Sequence, residues 1–312
     1  MSTDALVALD VGGTSIRGEL LRPVRDAGEV VDLEVLERVL ADTPRAGAEP
    51  DGGAILDAIE RVCTALLDSA TSHRVSVGAV GVAVPGVVDT AAGVVHLAGN
   101  LGWRDVPVAA ELSARLGVPV QVHHDVACAG LAERTLGAGR GVRDLLAVFI
   151  GTGIAATLTV AGTPVTGGHH AGELGHVPVR EPELPCPCGQ TGYLEVYASA
   201  RAIGRAYAAA TGRDDVTSRD VVAALGTDPA ADAVWDDALD ALAHTLLGAI
   251  TLLGTERIVL GGGLSLAGDA LVAPLRERLL ARARVAVVPD IVTAGLGPRA
   301  GVVGAALATL AF

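Results

Sequence analysis

Three short apolar runs in this chain each break off into a glycine-rich turn. Ala5 to Leu9 leads into Asp10-Val-Gly-Gly-Thr14, Leu145 to Ile150 into Gly151-Thr-Gly153, and Ile258 to Leu260 into Gly261-Gly-Gly263. A continuous apolar run of that length, bounded by turn residues, reads as a buried strand, because a strand covered on both faces has no need of polar alternation. Glycine at the strand end lets the backbone turn tightly and approach an anion with no Cβ in the way. One such turn is an ordinary connection. With Asp10 and Thr14 at the first and Thr152 in the second, the turns also offer a carboxylate for Mg²⁺ through water and hydroxyls for phosphate oxygens.

The rest of the chain alternates in the same way. Ile16 to Leu21, Val75 to Val84 before Pro85-Gly86, Val118 to Val122 and Ala155 to Val160 read as further strands, and Ile55 to Leu67 has helical spacing. From Ala198 the pattern turns to Ala-rich helix, interrupted near Gly212 and Gly226. Alternating strands and helices predict an α/β protein, and 312 residues favour two lobes. The expected division is a small N-terminal α/β lobe, residues 1–117, completed by a C-terminal helix within 298–312, and a large α/β lobe, 118–297. No fixed period suggests a solenoid.

Composition narrows the partners. No apolar stretch reaches membrane-spanning length free of Gly or charge, and no signal-peptide pattern opens the chain, so a cytoplasmic protein without membrane contact is expected. A net charge of −13 opposes non-specific binding to nucleic acid and favours a small-molecule partner. All 23 basic residues are arginine. That excludes a Walker-type phosphate loop, which needs Lys, and a Schiff-base mechanism. Cys186 and Cys188, one residue apart among four cysteines, point to metal or incidental thiols rather than a disulfide framework.

Eight segments together resemble the ROK family of bacterial sugar kinases and repressors, within the actin-like, hexokinase-like ATPase superfamily. They are Leu9 to Gly18, Gly81 to Asp89, Ala98 to Trp103, His124 to Glu133, Ile150 to Ile154, Ala171 to His176, Cys186 to Glu195 and Ile258 to Gly263. The resemblance implies a two-lobed actin-like (ribonuclease H-like) α/β fold with the active-site cleft between the lobes. It also implies an ATP- and Mg²⁺-dependent glucokinase-like enzyme that phosphorylates a hydroxyl, the 6-hydroxyl of glucose or a related hexose. By this resemblance Asp10, Gly12, Gly13 and Thr14 face the phosphates and Mg²⁺, Gly151, Thr152 and Gly153 form a second phosphate turn, and Gly261, Gly262 and Gly263 lie near the nucleotide. Asn100, Asp125, Glu173, His176 and Glu195 are implied to bind the sugar, with Asp125 as catalytic base.

Two positions depart from the family pattern. His124 stands where an Asn often precedes the catalytic Asp and is placed with the sugar-binding residues; Ala127 replaces another common Asn. The family's Cys₃His zinc site keeps His176, Cys186 and Cys188, but Tyr193 replaces its last cysteine. A phenol with a pKa of about 10 is a poor ligand at neutral pH, so zinc is disfavoured. Mannose, an N-acetylhexosamine or a cyclitol are alternative acceptors. A sugar-responsive regulator is the rival of another class; such proteins carry an N-terminal helix-turn-helix domain, for which a first strand beginning by Ala5 leaves no room. A homodimer or homotetramer is expected. Trp103 is read as core filling or a contact, and His96, His123, His169, His170 and His244 as structural or surface residues.

Overall fold

The computed structural model describes residues 4–44, 53–167, 171–180 and 184–311, and it forms two compact units. In the first, β1 (Ala5–Val11), β2 (Ser15–Asp26) and β3 (Glu29–Asp42) form an antiparallel meander, followed by α1 (Gly53–His73) and β4 (Val77–Val84). A small antiparallel sheet of β5 (Val87–Asp89), β6 (Val94–Ala98) and β7 (Trp103–Val106) comes next, then α2 (Val108–Leu116), β8 (Val120–His124) and α3 (Asp125–Thr135). The main sheet runs β3-β2-β1-β4-β8, with β4 parallel to both β1 and β8.

The second unit contains β9 (Leu145–Ile150), β10 (Ile154–Val160) and β11 (Thr163–Val165). Helices α4 (Glu195–Ala198), α5 (Ala200–Thr211), α6 (Ser218–Ala224) and α7 (Pro229–Leu253) follow, then β12 (Arg257–Gly261), α8 (Asp269–Arg282) and β13 (Asp290–Thr293). Its sheet runs β11-β10-β9-β12-β13, with β12 parallel to both β9 and β13. Each sheet thus repeats one plan: a meander whose first strand sits at the centre, extended on its other side by two parallel strands. The turn after the central strand is Asp10–Thr14 in one unit and Gly151–Gly153 in the other, so two of the three glycine turns occupy equivalent places.

The final helix, α9 (Ala300–Leu310), belongs to the first unit. That unit also runs on to Leu136, beyond the boundary at 117 expected from sequence. The reason is β8, whose Val120 to His124 pair in register with Val80 to Val84 of β4, and α3, which packs on α9.

The two faces of the first sheet differ in side-chain size. Val7, Leu9 and Val11 of β1, with Val80, Val82 and Val84 of β4, join Ile55, Ile59, Val62 and Leu66 of α1 in one core. With the two-residue period of a strand, Ala8 and Asp10 of β1 and Gly81 and Ala83 of β4 point the other way. There α9 approaches: a Cβ on Gly81 would run into Thr309 and Ala305, and one on Gly304 into the Cys128 carbonyl of α3. Small residues on both elements let this helix lie close to the sheet, and the close approach brings it against Asp10.

Candidate active site

Asp10 is the last charged group on β1 and pairs with Arg17 of β2 and Ala83 of β4. Its carboxyl is raised from 3.8 to about 6, first by burial and then by the negative charge of Asp125, with Arg17 opposing. The packing that desolvates it includes α9. A Cβ on Gly301 would stand 2.6 Å from the carboxyl carbon and Oδ2 of Asp10, so any larger residue there displaces the acid. The start of α9 is itself tied down, because Arg299 makes a two-pronged contact to buried Glu19 of β2, with Nε at 3.0 Å and NH2 at 2.7 Å.

The turn after Asp10 is closed by Gly12 N–H donating to the Ser15 carbonyl at 2.9 Å and by the Thr43 hydroxyl donating to the Gly12 carbonyl at 2.6 Å. Thr14 is exposed on this turn. Asn100, on the turn between β6 and β7, lies beside it: a Cβ on Gly13 would be 3.5 Å from the Asn100 Cβ.

Asp125 opens α3, and its Oδ1 accepts the Val126 N–H at 2.7 Å. His124, the residue capping α3, accepts the Ala127 N–H on Nδ1 at 3.4 Å and places Nε2 3.4 Å from Asp125 Oδ1. Behind both carboxylates lies the buried Cys128 thiol, driven well above its ordinary range by burial first, then by Asp125 and Asp10. The first unit therefore gathers Asp10, the Gly12 to Thr14 turn, Asn100, His124 and Asp125.

In the second unit the Gly151 N–H donates to the Gly153 carbonyl at 2.9 Å, and the Gly151 carbonyl accepts the Ala200 N–H at the start of α5. Glu195, the first residue of α4, accepts the Ile154 N–H on Oε2 at 3.0 Å, which sets its carboxylate beside Gly153 and Gly175. Glu173 precedes and His176 ends a short 3₁₀ turn, Leu174–His176, and the two meet at 3.2 Å, Oε2 to Nδ1. Gly262 has φ 78°, and a Cβ there would lie 2.5 Å from the Ile150 carbonyl oxygen, so this turn requires glycine. Gly261 is buried, whereas Gly262 and Gly263 are exposed.

The structure corrects the expectation that Tyr193 disfavours zinc. One ligand atom each from His176, Cys186 and Cys188 lies within 4.8 Å of the others. A tetrahedral site with Zn–S of about 2.3 Å and Zn–N of about 2.0 Å spaces its ligands roughly 3.5–3.8 Å apart, so the three fit a zinc ion after small side-chain rotations. The tight turn Cys186–Gly189, with Cys186 N–H donating to the Gln190 carbonyl at 2.7 Å, draws the thiols together. Tyr193 lies edge-on to His176, ring centroids 5.5 Å apart, and so packs against one member of this group.

The other described candidates fall in the core or on the surface. Trp103 is buried in the core of the first unit, His123 is buried on β8, His96 pairs with Asp105 at 2.8 Å, and His244 is exposed. His169 and His170 lie outside the described residues. Sequence reasoning missed Gly301, Arg17 and Thr43. The Gly301–Gly304 spacing on α9 was the available signal, since glycines three apart on a helix mark a face that something approaches closely.

The profile of the ROK family matches residues 6–311. The chain belongs to the ROK family. Among its ROK relatives is a glucokinase of Halalkalibacterium halodurans, 34% identical over 97% of this chain and 94% of that protein. A glucokinase of Thermotoga maritima is 32% identical over 96% of each chain. The solved ROK glucokinase of Streptomyces griseus, in complex with glucose and AMPPNP, is 29% identical and superposes with a TM-score of 0.78, covering 97% of this chain and 98% of that one. Among the described residues no helix is long and apolar enough to cross a membrane.

Proposed function

We propose that this ROK protein is an ATP-dependent carbohydrate kinase that transfers the γ-phosphoryl group to the 6-hydroxyl of glucose or a related hexose. The observation that carries the reading is that two carboxylates stand at the same end of one sheet: Asp10 on β1 pairs with Ala83 of β4, and the next residue of β4, Val84, pairs with His124, directly before Asp125. Phosphoryl transfer needs a cation-holding acid and a separate base for the hydroxyl proton, and this pair supplies both. The glucokinase relatives, matched along nearly their whole length, support the choice of substrate class.

In this reading Asp125 accepts the proton of the sugar hydroxyl as its oxygen bonds to phosphorus and the bond from phosphorus to ADP breaks. Asn100, Glu173, His176 and Glu195 are the residues assigned to the other hydroxyls; Glu195 keeps one oxygen for this, the other being held by Ile154 N–H. The Gly12 to Thr14 and Gly151 to Gly153 turns provide donors for phosphate, with Gly261 to Gly263 beside the nucleotide. Asp10, desolvated and repelled by Asp125, fits a cation and would hold Mg²⁺ through water, whose chemistry is to neutralise phosphate charge. His176, Cys186 and Cys188 would hold a structural zinc that secures the segment bearing Glu173.

A coupled ADP-release screen across hexoses, hexosamines and cyclitols tests the reading. ADP should form only with sugar, and fastest with glucose or a near relative; sugar-independent release, or none with any acceptor, would refute it. Gly301→Ala should lower turnover by about 10–100-fold through displacement of Asp10, yet reduce stability by only about 1–2 kcal/mol, since alanine suits a helix. Urea unfolding beside steady-state kinetics checks this. Metal analysis should find one zinc per chain, removable by a strong chelator, and Tyr193→Cys should make it resist removal. A chain isolated without zinc and unable to take it up would contradict the three-ligand assignment.

A further inference from the structure

Both ring nitrogens of His124 face groups of the protein, Nδ1 the Ala127 N–H and Nε2 the Asp125 carboxylate. Nδ1 accepts the Ala127 N–H at the head of α3. An accepting Nδ1 carries a lone pair, so the neutral ring bears its proton on Nε2. Nε2 is the atom 3.4 Å from Asp125 Oδ1, the same oxygen that takes the Val126 N–H at 2.7 Å. The Val126 N–H bond to this oxygen is formed and Nε2 stands at ion-pair range of it; with Nε2–H donating as well, two donors on one oxygen would fix the rotation of the carboxylate and leave its second oxygen to act.

We propose that His124 is a positioning residue for Asp125 rather than a ligand of the sugar. Its Nε2–H and the Val126 N–H hold Oδ1, and Oδ2 is the oxygen that receives the hydroxyl proton. The ring then has no free nitrogen for a sugar hydroxyl. This deepens the kinase reading and rests on it for the kinetic consequences, though not for the approach of Nε2 to Oδ1.

Two substitutions separate the ring's two contacts. Asparagine places a short acceptor near the Nδ1 position, keeping the cap, but falls short of Asp125; glutamine places a donor near the Nε2 position and loses the cap. His124→Asn should hold the melting temperature within about 2 °C, lower kcat by roughly tenfold and leave the calorimetric Kd for glucose within about twofold. His124→Gln should melt several degrees lower, about 3–6 °C, while keeping a larger share of kcat than the Asn variant. Wild-type kcat in His124→Asn would overturn the proposal. So would a large rise in the glucose Kd with kcat retained, which would make His124 a sugar ligand.

A second arm needs no turnover. Long-range ¹H–¹⁵N spectra of the wild-type protein, with the His124 signal among the 8 histidines assigned by its loss in His124→Asn, should show the Nε2–H tautomer. Asp125→Asn should shift that signal. An Nδ1–H tautomer, or a signal indifferent to Asp125→Asn, would overturn the proposal even in a protein that phosphorylates no sugar. A wild-type chain with the expected tautomer and no ADP release would instead strike the kinase reading alone.

Discussion

Asp125→Asn is expected to lower kcat by about 10²–10⁴-fold, the usual contribution of a positioned general base. An alcohol barely ionises at neutral pH, so its proton must leave as the oxygen attacks phosphorus, and an amide cannot take it. The substitution keeps the shape of the side chain and an oxygen that can still accept the Val126 N–H, so α3 should begin as before. ATP affinity should be nearly unchanged, and sugar affinity should fall less than turnover, because Asn100, Glu173, His176 and Glu195 remain. Steady-state kinetics with calorimetric titration of each ligand separates these effects. Near-normal kcat at saturating sugar and ATP would show that Asp125 is not the base.

Asp10→Asn should act in opposite directions on activity and stability. The Asp10 carboxyl lies at about 6 in the folded protein against an ordinary 3.8. Between those values the folded chain holds a proton that the unfolded chain has lost, so stability falls as pH rises through the window, and the whole penalty is present above pH 6. A shift of about two units corresponds to about 2–3 kcal/mol. Asn carries no charge to desolvate or to repel Asp125. The variant should therefore match the wild type near pH 3.5 and exceed its unfolding free energy by about that amount at pH 8 without Mg²⁺. Added Mg²⁺ should narrow the gap by stabilising only the protein that holds it. Turnover should nevertheless collapse under the proposed role of Asp10 in holding the cation. A stability difference that stays flat from pH 3.5 to 8 would show that Asp10 carries no strained ionisation.

The sheet centres were the legible part of the fold. β1, β9 and β12 announce themselves because each is a short run buried on both faces and stopped by glycine. β3 did not, since Glu29–Asp42 is a charged edge strand, exposed along much of its length and held mainly by its pairing with β2. α3 is equally quiet in sequence: Cys128, Ala129, Gly130 and Ala132 bury it through small size rather than an apolar stripe. The early boundary at 117 follows from missing that contact with α9.

At the candidate site, residue type pointed to Asp10, Asp125 and the glycine turns, but not to what surrounds them. Glu19 and Arg299 are 280 positions apart in sequence, and only the packing of α9 on β1 shows that this pair delivers Gly301 to Asp10. Tyr193 misled for a related reason. Its chemistry as a ligand was visible in sequence, whereas the convergence of His176, Cys186 and Cys188 depends on the Cys186–Gly189 turn.

The central claim is transfer of phosphoryl from ATP to a sugar hydroxyl, and ³¹P NMR of the wild-type protein with ATP, Mg²⁺ and glucose tests it most directly. The account predicts loss of the γ-phosphate signal matched one for one by a new sugar phosphomonoester signal and by ADP, coupled to the protons at carbon 6. Growth of inorganic phosphate in place of the monoester, or an ATP spectrum unchanged with glucose and every related hexose, would contradict it.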